Sequence, residues 1–144
     1  MAQKGYGYRY LEEIISGDAA FEVYAEDLDR LFELSAEAMF GIMTDLKSIV
    51  AEESEELKLE SSSLEELLYL YLSELIYLKD VQSMIYSKFD VAISGEYILN
   101  GVVGGQRAES LKQPPSIDIK AVTYYRFKIQ KVAGGYRAVV VIDL

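Results

Sequence analysis

The sequence predicts an α+β domain, two amphipathic helices packed on a mostly antiparallel sheet, and three observations lead there. Two stretches repeat apolar residues at three- and four-residue steps, as helices do. At least five others alternate apolar and polar residues, as half-buried strands do. The order is strand, strand, helix, strand, helix, then four strands, which lacks the regular strand–helix alternation of a parallel sheet. With 144 residues, one domain spanning 1–144 is expected.

Tyr6, Tyr8 and Tyr10 alternate within 5–10 and suit a first strand. A polar elbow, Ile15-Ser16-Gly17-Asp18, leads to a second strand over 19–25, with Ala19, Phe21 and Val23 on one face and Glu22 and Tyr24 on the other. Asp27 is a good N-cap for a helix to about Lys47, with Leu28, Leu31, Phe32, Ser35, Met39, Ile42, Met43 and Leu46 forming its stripe. Leu57 and Leu59 alternate with Glu56, Lys58 and Glu60, which fits a charged edge strand over 52–60. Ser63 and Glu66 match a capping box. The helix they open is apolar on more than one side. Leu64, Leu67, Leu68, Tyr71, Leu75 and Leu78 make one stripe while Leu70, Ile76 and Tyr77 fall outside it. Burial between layers accounts for that pattern, and docking of a partner is the sharper reading.

Residues 85–93 alternate again, with Ile85, Phe89, Val91 and Ile93 inward and Lys88 and Asp90 outward. A hairpin at Ser94-Gly95-Glu96 precedes a strand over 97–103, and 104–116 reads as one long loop ending in Pro114-Pro115. A long strand over 119–131, a turn at Ala133-Gly134-Gly135 and a last strand over 136–142 complete the chain. Ala138 to Ile142 are apolar on both faces, so that last strand is expected to be central.

Composition removes much chemistry. The chain has no Cys and no His. Thiolate nucleophiles, imidazole bases, zinc fingers and disulfides are therefore excluded within it. Fourteen Lys and Arg against 24 Asp and Glu give a net charge of −10, which argues against a large phosphate-binding footprint. Direct nucleic-acid binding is accordingly not expected. Mean hydropathy is +0.07 and 51% of residues are hydrophobic, enough for a core. No apolar run approaches the roughly 20 residues of a membrane span, and no secretory leader is visible, so a cytoplasmic location is expected.

What remains for a site is oxygen. Asp143 and Leu144 follow the central strand directly, and Asp18 lies in the elbow between the first two strands. If both reach one end of the sheet, their oxygens would suit a hard divalent cation, which would relieve the repulsion between like charges. The plain alternative is that Asp18 and Asp143 are ordinary turn and strand-end residues. Gly101, Gly104 and Gly105 precede no helix and so do not form a phosphate-cradling loop. Glu52, Glu53, Glu55 and Glu56 read as a solvated acidic face. Lys120, facing opposite Ala121 and Thr123 at the start of the long strand, is the one basic residue that stands out.

Gly17-Asp18-Ala19-Ala20-Phe21 through Tyr24, Asp27-Leu28, Leu31-Phe32, Ala38-Met39-Phe40, Met43-Thr44-Asp45, Leu67-Leu68-Tyr69 with Glu74-Leu75, Ser87-Lys88-Phe89, Lys120-Ala121-Val122-Thr123-Tyr124 and Asp143-Leu144 follow one another along the chain. In that order they resemble the archease family. The resemblance implies a non-enzymatic activator of the GTP-dependent RNA ligase of tRNA splicing. Such a protein assists formation of the ligase's covalent nucleotide intermediate and its multiple turnover. It also implies a divalent cation, calcium with magnesium as the alternative, on Asp18, Asp143 and Leu144, with Lys120 near the functional surface. The sequence departs from the family pattern at Ile15, Leu70, Gln106 and Tyr125, where polar family residues are replaced or shifted. A binding or chaperone-like module on the same fold, with another protein partner, is the alternative function.

Overall fold

The computed structural model describes residues 5–12 and 17–144. The elements are β1 (Gly7–Leu11), β2 (Asp18–Ala25), α1 (Leu28–Gly41), β3 (Glu53–Glu60), α2 (Leu64–Gln82), β4 (Met84–Ser94), β5 (Ile98–Arg107), β6 (Ala121–Val132) and β7 (Gly135–Asp143). The strands form two sheets rather than one. Their orders are β1-β2-β7-β6 and β3-β5-β4, and every pairing is antiparallel. The expected positions hold: β7 is interior and β3 is an edge. No helix among the described residues is long and apolar enough to cross a membrane.

One apolar cluster joins both sheets to both helices. It includes Phe21, Val23 and Ala25 of β2, Leu31, Phe32, Met39 and Phe40 of α1, Leu67, Leu68, Tyr71 and Leu75 of α2, and Val140 and Ile142 of β7. The breadth of α2's apolar surface follows from this position, since Ile76 is buried with the stripe while Tyr77 stands exposed. At its start the Ser63 side chain accepts from the Glu66 N–H at 3.1 Å, which supplies the forward half of the capping box.

Two boundaries and one register differ from the expectation. α1 stops at Gly41, six residues before Lys47. Its last turn tightens through Ile42 N–H to Met39 O and Met43 N–H to Phe40 O, and the Tyr10 hydroxyl donates to Ala38 O. Met43 remains fully buried, so the apolar spacing outlives the helix. In β5, Gly104 and Gly105 are strand residues and not the start of a loop. Gly105 pairs with Glu53 on one side and Tyr86 on the other, and a Cβ there would lie 2.1 Å from Ile85 O. Its glycine answers to close packing. In β4 the register slips between Tyr86 and Lys88, so Met84, Ile85 and Tyr86 are all buried before alternation resumes.

Two strand edges are closed by helix carboxylates. Val91 and Ile93 of edge strand β4 donate their N–H groups to Glu33 and Asp29 of α1, each at 2.9 Å. Ile129 of edge strand β6 donates to Glu65 of α2, also at 2.9 Å.

Candidate metal centre

The register of the four-stranded sheet places the expected residues together. Asp18 opens β2 and Asp143 closes β7, and they are direct cross-strand partners. Residues opposite one another share a face, with Cβ atoms about 4.5–5.5 Å apart, and two like charges so placed repel. Leu144 follows immediately, its N–H donating to Gly17 O at 3.1 Å. Lys120 closes the other side, its N–H donating to Asp143 O at 2.8 Å, one residue before Ala121 pairs with Asp143. Asp18 is half-buried and Asp143 exposed, so the pair is rooted in the sheet and open to solvent.

The donors suit a hard cation. No group of three or more His, Cys, Asp or Glu side chains able to hold an ion occurs among the described residues. Beside Asp18 and Asp143, Leu144 is pinned where a main-chain oxygen could serve as a third ligand. An all-oxygen set is what Ca²⁺ and Mg²⁺ select. The Lys120 side chain is exposed and makes no ion pair among the described residues. What the structure brings to the carboxylates is the Lys120 backbone.

Sequence reasoning missed Lys79, which holds that backbone from behind. Lys79 lies on α2 and is 6% exposed. Its Nζ donates to Asp118 Oδ1 at 2.7 Å and Ile119 O at 2.8 Å, and pairs with Asp80 at 2.7 Å. The strap 118–120 is thus fixed to the helix just before it meets Asp143. A cation four residues after Leu75, on the apolar stripe, was the available signal.

A second missed group occupies the same sheet face, four residues along β2. Glu22 is buried and accepts from Arg9 Nε of β1 and from Arg137 Nε and Nη2 of β7. Burial pushes its carboxyl up, but the hydrogen bonds and charges of Arg137 and Arg9 outweigh burial and hold it below the usual range. Arg137 also donates to Gln130 and lies over the Tyr24 ring.

The departures from the family pattern have structural places. Ile15 lies outside the described residues. Leu70 is half-buried on α2. Gln106 accepts from Val50 N–H at 3.0 Å and donates to Ser110, tying β5 to the segments on either side. Tyr125 is exposed in an excursion of β6, between Thr123 and Lys128, where the pairing with β7 breaks.

The model of the Archease protein family (MTH1598/TM1083) matches residues 8–144. The chain belongs to the archease family. It is 36% identical to the archease of Methanosarcina mazei over 148 aligned positions, covering 100% of both chains. It is 32% identical to that of Pyrococcus furiosus, covering 83% of this chain and 87% of the relative. Among solved structures, Methanobacterium thermoautotrophicum protein 1598 superposes with a TM-score of 0.82 at 32% identity, covering 96% of this chain and 99% of the other. An archease from Thermotoga maritima, described as a possible chaperone, shares the fold at a TM-score of 0.62 and 17% identity, covering 94% and 99%.

Proposed function

We propose that this archease-family protein holds a divalent cation, calcium or magnesium, on Asp18, Asp143 and a main-chain oxygen of Leu144. With that ion it acts as a non-enzymatic activator of a GTP-dependent RNA ligase in tRNA splicing and RNA repair. The observation that carries this reading is the pairing of Asp18 with Asp143 in register, in a chain of this family. A bound cation would supply concentrated positive charge for phosphate oxygens at the partner's active site. The chain's own part is positional. β2 and β7 fix the carboxylates, Gly17 fixes Leu144, and Lys79 fixes the strap that carries Lys120.

The test combines calorimetry with ligase turnover. Asp18→Asn and Asp143→Asn should each weaken calcium and magnesium binding by at least about tenfold, since affinity for hard cations follows ligand charge. The same variants should lose the acceleration of ligase nucleotidylation that the native chain gives, with unchanged melting. Unaltered affinity in both would remove the metal centre. A ligase indifferent to the native chain would remove the ligase.

The second reading is a chaperone-like module for another protein. It is favoured by the exposed Tyr77 and Val81 on α2 and by the description of the Thermotoga maritima relative. It predicts suppression of a client's aggregation without any added divalent ion.

A further inference from the structure

The charge of this chain is divided unevenly. Residues 119–142, which cover β6, the turn and β7 short of its last residue, contain Lys120, Arg126, Lys128, Lys131 and Arg137 and no Asp or Glu, with Asp118 and Asp143 flanking the stretch. Elsewhere nine Lys and Arg face 24 Asp and Glu, a balance of −15. At physiological salt the Debye length is about 8 Å, so a ligand on this hairpin responds to the local charge far more than to the total. The net charge that argued against phosphate binding therefore says little about this surface.

The cations are available. Lys120, Arg126, Lys128 and Lys131 are exposed, and none makes an ion pair among the described residues; Arg137 is engaged by Glu22. β6 is an edge strand, so its outer side carries no further strand. Between Thr123 and Lys128 the strand leaves its register with β7, and Arg126 takes a left-handed φ of 57°. Tyr124 is held in that excursion by stacking on Tyr69 at 4.0 Å between ring centroids. Tyr125 is 51% exposed, with the Arg126 guanidinium 5.3 Å from its ring centroid. Glu65 is committed to the Ile129 N–H and Glu66 lies beside Tyr124, while Asp118 and Asp143 flank the strand at its Lys120 end.

We propose that the rim of β6 binds single-stranded nucleic acid, with Lys120, Arg126, Lys128 and Lys131 on phosphates and Tyr125 as a stacking ring for a base. This goes beyond the ligase reading and does not depend on it. Basic side chains tracking a backbone beside an exposed aromatic face are the general means of binding unpaired strands. An acidic peptide adding to the sheet is disfavoured, because the edge is sealed at Ile129 and broken by the excursion.

Fluorescence anisotropy of a labelled oligouridine, with the full chain, tests this. Single strands give a slope of log affinity against log salt of about −0.7 per phosphate neutralised, so four cations predict about −2 to −3. Arg126→Ala, Lys128→Ala and Lys131→Ala combined should weaken binding at least about tenfold and flatten the slope by about 2. Tyr125→Ala should weaken it about tenfold and leave the slope unchanged. Lys58→Ala, on the other sheet, should change neither. An oligonucleotide that fails to bind at about 50 mM salt overturns the proposal, as does a triple variant that binds like the native chain. Displacement of the oligonucleotide by poly-glutamate of equal charge, with no effect of Tyr125→Ala, would reassign the rim to an acidic protein.

Discussion

Glu22 carries a negative charge with almost no access to water, and two guanidiniums are what keep it charged. Because its folded pKa lies below the unfolded value of about 4.3, its contribution is complete above that pH and is lost as pH falls through the folded value. Glu22→Gln should cost about 1–3 kcal/mol near neutrality. The gap between variant and native chain should close in acid, as urea melts at about pH 7 and about pH 3 would record. A gap that stays constant would assign the cost to shape instead of charge. Neither Arg9 nor Arg137 could be matched to Glu22 from the sequence, since the match exists only through a three-strand register. Asp18 and Asp143 were legible because each sits at a strand boundary, where position along the sheet is readable without knowing the register.

At the scale of elements, local chemistry showed what it controls. The Asp27 and Ser63 caps, the edge position of β3 and the interior position of β7 all follow from side chains within a few residues. Division into two sheets, the slip in β4 and the extension of β5 through Gly105 depend on partners far along the chain, so spacing alone did not reveal them. Ser63→Ala tests the separation between support and site. It should lower stability by about 0.5–2 kcal/mol through the lost bond to the Glu66 N–H. Calcium affinity should be unaffected, because α2 reaches the candidate metal centre through Lys79, more than four turns from the cap. Denaturant melts alongside calorimetry would show it, and a change in affinity alone would mean the cap and the centre are coupled.

Across the whole molecule the division of charge matters most. The acidic remainder, β3 above all, should steer the chain toward a basic protein surface. Association with a ligase should slow as salt rises from about 0.05 to 0.5 M, with dissociation changing little. Stopped-flow rates over that range decide it, and an association rate independent of salt would exclude steering.

The carboxylates that close the strand edges give the molecule a built-in gauge. The amides of Val91, Ile93 and Ile129 are held by Glu33, Asp29 and Glu65, which belong to helices rather than to neighbouring strands. Their exchange with deuterium therefore times the lifting of each helix, while the amides inside the β2–β7 ladder time the opening of the sheet. Two clocks, one for α1 and one for α2, are readable in the same spectrum. A ligand or partner that grips one helix would slow its clock and leave the other running.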